Sequence, residues 1–211
     1  MAWTTVDDVV DGIPLVPKSY DDAFQSYGVT VPKMVLNEQR GRDKWTVIQE
    51  LGGESAEEIF AFFNNILLEN ADRVEEIEGV SSVFRFLRDH GIRVALSTGF
   101  PRGIAERTLG HIGWEEKDMI DGWTCSEAVG KSRPDPAMIH ALMGRLGVED
   151  PGKAMKIDDT AKGIEEGLIA GAATLSALTG TQTRERLLQA GPHGIIRSVR
   201  NRRARRTSLK L

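Results

Sequence analysis

The chain is short of several residue types, and each shortage excludes something. One cysteine, Cys125, stands among 211 residues, so an internal disulfide is excluded. A small apolar filler is the plain reading of that thiol, and a nucleophile the competing one. No run of 18 apolar residues occurs, so no helix is expected to span a membrane. The first residues, MAWTTVDD, turn acidic at once without a basic-then-apolar leader, and the expectation is a cytoplasmic protein. Acids are missing from residues 197–211, which hold Arg197, Arg200, Arg202, Arg203, Arg205, Arg206 and Lys210. The net charge of −4 therefore divides into +7 there and −11 over residues 1–196. So acidic a body argues against a nucleic-acid-binding domain. Residues 200–211 read as a basic, disordered tail, with contact to nucleic acid or an anionic surface as the other reading. A G-x-G-x-x-G turn is also absent, against a dinucleotide-binding domain.

What remains is ordinary for a globular protein: 40% hydrophobic and 27% charged residues. The length suits one core domain plus a small second one. Residues 1–14 read as loop. Helices are expected over about 18–27, closed by Gly28, over 42–51, closed by Gly52-Gly53, and over 56–70. Ser55 and Glu58 form a capping-box pattern before the last, whose Ile59, Phe62, Phe63, Ile66 and Leu67 recur at helical spacing. No strand separates these helices. After Gly79 strands and helices alternate: a helix at 80–91, a strand at 92–96, a helix at 102–112, a weak strand near 119–125 and a helix at 136–146. A strand at 153–157, helix 161–170, strand 172–178, helix 183–190 and a short strand at Ile195-Ile196 follow. Alternation of this kind implies a parallel sheet with helices on both faces.

Ligands of such sheets bind outside the carboxyl ends of the strands. Three segments then share one rim: Ser97-Thr98-Gly99-Phe100, the loop Gly130-Lys131-Ser132-Arg133-Pro134-Asp135-Pro136, and Asp158-Asp159-Thr160. Hydroxyls and cations hold phosphoryl oxygens, and carboxylates hold Mg²⁺. Taken singly, each segment is equally well a turn, a surface charge pair or a helix N-cap.

In that order the segments resemble the haloacid dehalogenase superfamily. VALSTGFPR (94–102) resembles its second motif, and the Thr-Gly-aromatic-x-Arg form is similar to the phosphonatase (phosphonoacetaldehyde hydrolase) branch. CSEAVGKSRPDPAMI (125–139) resembles the third motif, which implies Arg133 as its cation with Lys131 as competitor. KIDDTAKGIEEGLIAGA (156–172) resembles the fourth, which implies Asp159 as a metal ligand with Asp158 beside it; Gly163 stands where many relatives carry another acid. TGTQTRERLLQAGPHGIIRSV (179–199) is similar to the same branch. MAWTTVDD resembles the part of the first motif that follows its nucleophilic aspartate, with Ala2 at the second-Asp position and Trp3 in place of glycine. The nucleophile would then fall just before Met1, and the first core strand is expected to be missing.

The resemblance implies an α/β fold with a Rossmann-like parallel sheet and a small helical cap. Its parts would be a remnant of the first motif and linker (1–13), the cap (14–76), the core (77–199) and the tail (200–211). It implies an aspartyl-phosphate mechanism with Mg²⁺ held by Asp159, Asp158 and the carbonyl of Ala2. Phosphate or substrate would be bound by Thr98, Gly99, Arg102, Lys131 and Arg133. Gly41-Arg42-Asp43-Lys44 matches the spacing of the branch's cap lysine, implying Lys44 as a Schiff-base former. The catalytic set is then Lys44, Thr98 and Arg133. The expected substrate is phosphonoacetaldehyde, with small phosphate monoesters as the alternative, and the resemblance implies a homodimer paired through the cap. Without its nucleophile the chain as written is expected to be inactive. A misassigned start, a pseudoenzyme binding a phosphorylated ligand and a decayed sequence compete as explanations. Asp7 and Asp8 lie past the turn. A receiver domain would share the Asp, Thr and Lys at strand ends but lack the helices of 14–74.

Overall fold

A computed structural model describes residues 2–4, 10–11 and 15–198, the first two segments by backbone pairing alone. Asp7, Asp8 and the basic tail lie outside the described residues.

Four helices come first. In α1 (Leu15–Ser26), Val16, Tyr20, Ala23 and Phe24 fall on one face and are buried. The chain leaves this helix through Gly28, at φ +70°, and the Val29 amide returns to the Phe24 carbonyl. Helix α2 (Lys33–Glu38) was not expected; it is six residues long and buries only Leu36, too little to show a period. Helix α3 (Lys44–Gly52) opens on Asp43, whose carboxylate accepts from the Thr46 amide at 2.8 Å. Helix α4 (Ala56–Asn70) buries Ala56, Ile59, Phe63 and Leu67, three or four residues apart along one face. The capping box expected at Ser55 is not formed: Ser55 ends a 3-10 turn, Gly53–Ser55, and its side chain makes no cap. The Tyr20 and Phe63 rings, 4.6 Å apart, join α1 to α4. Each such fully buried side chain contributes about 1.5–3 kcal/mol.

A short antiparallel pair, β2 (Val10–Asp11) and β3 (Glu75–Glu76), brackets this helical layer. Then follow α5 (Val80–Asp89), β4 (Val94–Thr98), α6 (Arg102–Ile112), β5 (Gly122–Cys125), α7 (Ser126–Val129) and α8 (Ala137–Arg145). They are continued by β6 (Met155–Asp158), α9 (Ala161–Ile169), β7 (Ala173–Ala177), α10 (Arg184–Gln189) and β8 (Gly194–Ile196). With β1 (Ala2–Thr4) they make a six-stranded sheet, order β5-β4-β1-β6-β7-β8, parallel throughout. All five residues of β4 are buried, as in a sheet covered on both faces. Val94 and Leu96 pack into one hydrophobic cluster with Phe84, Leu109 and Trp114. Ala95, pointing the other way, joins Ile139, Leu142 and Met143.

The central place, expected to be empty, is occupied. Ala2–Thr4, read from sequence as loop, pairs with β4 on one side and β6 on the other. A six-strand parallel sheet cannot leave its middle strand out without orphaning the backbone groups of both neighbours, and these residues satisfy them. Because the strands run parallel, β4, β5 and β6 end on one rim, at Thr98, Cys125 and Asp158.

Candidate functional site

Thr98, Arg133 and Asp159 are all buried, Thr98 as the last residue of β4 and Asp159 just past the end of β6. Thr98 closes β4, and its hydroxyl accepts from the Phe100 amide at 3.1 Å, tightening the turn into α6. Asp159 follows the last residue of β6. Gly180 lies so close that a Cβ there would overlap the Asp159 carboxylate, so the segment after β7 forms a wall of its niche. Arg133 comes in from the loop between α7 and α8. Its Nη2 donates to the Ser97 carbonyl at 2.9 Å and its Nε to Glu166 at 3.0 Å.

Asp158 points beneath the rim. Its Oδ1 accepts from the Thr160 amide and hydroxyl at 2.9 and 2.7 Å. Its Oδ2 lies 3.0 Å from the Lys156 ammonium and 3.9 Å from the Arg133 guanidinium. Burial alone would raise this carboxyl; Lys156, Arg133 and the Thr160 hydroxyl outweigh it and hold it below its ordinary value. A side chain at Gly163 would run into the same carboxylate. The space for a further acid there is thus already taken by Asp158.

The helical layer covers the rim. The chain between α2 and α3 passes over it, and Gly41, at φ +85°, sits against Thr160 where a Cβ would overlap the hydroxyl. Next to it, the Arg42 carbonyl lies 3.0 Å from the place a Cβ of Gly99 would take. Two further contacts fix this seam. Ser126 donates to Asp43 at 3.2 Å. Gln182 donates to the Asn37 carbonyl at 2.9 Å and accepts from the Ala161 amide at 2.7 Å. Lys44, first residue of α3, is only 2% exposed, with Nζ 5.5 Å from the centroid of the Phe100 ring.

Not every expected residue is here. The side chain of Arg102 is half exposed and pairs with Glu106 one turn along α6, at 3.6 Å. Lys131 is exposed, which leaves Arg133 as the buried cation of its loop. Register places Ala2 opposite Val94 and Met155, four residues along β4 from Thr98. At ~3.3 Å per residue that is about 13 Å, so the carbonyl expected to bind metal does not reach the rim. Conversely, sequence reasoning passed over Lys156, Glu166 and Gln182. The only trace of the first was a lysine inside a short buried strand.

The family model of the haloacid dehalogenase-like hydrolases matches residues 7–177, most of the chain. The chain belongs to this family. Its relatives include a phosphonoacetaldehyde hydrolase from Bordetella pertussis, 29% identical over 180 residues, which cover 76% of the chain and 65% of the relative. Another from Lactiplantibacillus plantarum is 25% identical, covering 85% of the chain and 74% of the relative. The chain is thus a distant homologue of phosphonoacetaldehyde hydrolases over most of its length, and it spans about two thirds of the Bordetella proteins. Among solved structures, a phosphonoacetaldehyde hydrolase like protein from Oleispira antarctica matches with TM-score 0.81 at 22% identity, over 95% of this chain and 88% of that one. A hydrolase from Pseudomonas syringae matches with TM-score 0.82 at 14% identity, over 94% and 93%. At those identities the two structures establish the haloacid dehalogenase-like fold alone. Among the described residues no helix is long and apolar enough to cross a membrane.

Proposed function

We propose that this chain binds a small phosphonate aldehyde at the rim, with Thr98 and Arg133 on its phosphoryl oxygens and Lys44 on its carbonyl, for hydrolysis of the carbon–phosphorus bond. The observation that carries the reading is Lys44: an amine buried at the start of α3, its Nζ over the ring of Phe100, two residues after Thr98. A phosphate monoester would need the pair but not the amine. That is why the aldehyde is preferred over small monoesters.

The proposed chemistry follows from what each residue can do. The Thr98 hydroxyl and the Arg133 guanidinium bind oxyanions, the latter charge-assisted. Once deprotonated, the Lys44 amine would add to the aldehyde carbon and water would leave, giving an imine that draws electrons from the adjacent carbon–phosphorus bond. The cap loop 39–43 excludes water while this happens. Magnesium, where bound, would neutralise phosphoryl charge. Asp159 is the residue that would hold it: a hard oxygen donor in a niche walled by Gly180. Among the described residues no three acids, histidines or cysteines gather into a metal group. Magnesium needs no such cage, since one or two carboxylates, waters and substrate oxygens suffice. Asp158 is assigned a supporting place, its oxygens being engaged by Lys156, Arg133 and Thr160.

The covalent step of the family route calls for a carboxylate nucleophile at the end of β1, where residues 5–9 lie outside the described ones. Imine formation and oxyanion binding need none, so the test is set on them. Borohydride with phosphonoacetaldehyde should leave a stable adduct on Lys44, located by peptide mass, and Lys44→Met should abolish it. No adduct on Lys44 sinks the aldehyde reading and leaves small monoesters. An adduct together with orthophosphate binding, but no phosphate release with Mg²⁺, would make the chain a binding protein.

A further inference from the structure

Beneath the rim lie two buried charges, Lys156 and Glu166, to which the proposed chemistry gives no role. Lys156 and Glu166 are both fully buried, Lys156 within β6 and Glu166 on the inner side of α9. The Lys156 ammonium is 3.3 Å from Glu166, 3.0 Å from Asp158 and 3.1 Å from the Ser97 hydroxyl. Glu166 in turn takes the Nε of Arg133, and Ser97 takes its Nη2. Two cations and two carboxylates thus form one closed, charge-balanced set that includes Asp158, the residue before Asp159, and touches Ser97, the residue before Thr98.

Helix α9 is shaped to admit this set. A Cβ at Gly163 would overlap Asp158, and one at Gly167 would stand 2.9 Å from the Cβ and Cγ of Lys156. The two glycines are four residues apart and flank Glu166, so one face of the helix has room for both side chains from β6. Glycine inside a helix costs about 1 kcal/mol each relative to alanine, and burying an ion pair stabilises little over an apolar substitute. Stability is therefore a poor reason for such an arrangement. Orientation is a better one: an arginine gripped at Nε and Nη2 has one guanidinium plane.

We propose that Glu166 and Lys156 are positioning residues for the oxyanion site, Glu166 by fixing the plane of Arg133 and Lys156 by tying Glu166, Ser97 and Asp158 into one rigid floor under the rim. This rests on the reading of Thr98 and Arg133 as an oxyanion pair. Neither residue touches the ligand; both act through Arg133 and Ser97.

The experiment measures orthophosphate binding by calorimetry on the full chain, together with the melting temperature and the ¹⁵N–¹H signal of the Arg133 Nε group. The variants are Lys156→Met/Glu166→Gln, which removes the charges as a pair, and Lys156→Arg, which keeps the cation. The double variant should fold, lose tenfold or more in phosphate affinity, and lose the slowed exchange of the Arg133 Nε proton. Lys156→Arg should keep the affinity within about threefold, since the cation remains. A folded double variant that binds phosphate as the parent does overturns the proposal while leaving the oxyanion pair intact, and so does an unchanged Arg133 signal. If the double variant does not fold, Glu166→Gln alone decides by the same two readouts. A parent chain that binds no phosphate overturns the rim reading and this proposal together.

Discussion

A single carboxylate shows how closely the site is built. Asp158 is held ionised against its burial by Lys156, Arg133 and Thr160, so its folded-state pKa lies below the unfolded one of about 3.9. A depressed acid stabilises the fold fully above its unfolded pKa and loses that contribution as pH falls through the folded value. The metal-free chain should therefore lose stability below about pH 4. Asp158→Asn should flatten that acid limb, as measured by urea unfolding at several pH values; an unchanged limb would remove Asp158 from the account. Gly163→Ala tests the same spot sterically. The new methyl would meet a carboxylate anchored by two Thr160 bonds, and overpacking of this kind costs about 1–3 kcal/mol. An alanine variant as stable as the parent would mean that Asp158 can turn away freely.

At the scale of elements, the first turn of α3 does two things at once. Asp43 caps the helix through the Thr46 amide and joins it to the core through Ser126. Loss of an N-cap costs about 1 kcal/mol, so Asp43→Ala should lower stability by that order. It should also free Lys44, which follows the cap directly. Acetylation resolved by peptide mass offers an internal control: Lys156 is buried in the sheet and should stay protected while Lys44 reacts faster. Equal acceleration at both lysines would instead mean general loosening. The helices with a long apolar period were legible in the sequence: 56–70 and 102–112 are found at their expected bounds. Helix α2, with one buried residue, was not. Nor was the failure of Ser55 to cap, because the 3-10 turn that displaces it depends on Gly53 at φ +59°.

Across the whole molecule, what matters is the seam between the helical layer and the sheet. Gln182 spans it, with one end of its amide on Asn37 and the other on the first turn of α9. Gln182→Ala removes two hydrogen bonds, each worth about 0.5–1.5 kcal/mol, and should lower the melting temperature without unfolding the chain. It should nonetheless raise the acetylation rate of Lys44, because the seam opens more often than the core unfolds. A rate equal to the parent's would show that closure depends on other contacts. Of the two clusters divided by the alternation of Val94, Ala95 and Leu96, the one that takes Val94 and Leu96 runs on into the helical layer as far as Phe24 and Phe63.

Fold class and rim are legible along the chain. Alternating strands and helices allow only a parallel sheet, and a parallel sheet must bring the segments after β4 and β6 to one side. That order brings the segments of Thr98, Arg133 and Asp159 to one rim, and the family resemblance, not the spacing, singles out these three within their segments. Tertiary structure decided the rest, because it turns on register and packing, which are long-range properties. It gave the central strand to Ala2–Thr4, put Arg102 and Lys131 outside the buried site, and brought Gly41 down onto Thr160. It also gathered Lys156, Glu166 and Asp158 under the rim, a meeting of strand and helix side chains that no spacing along the chain announces.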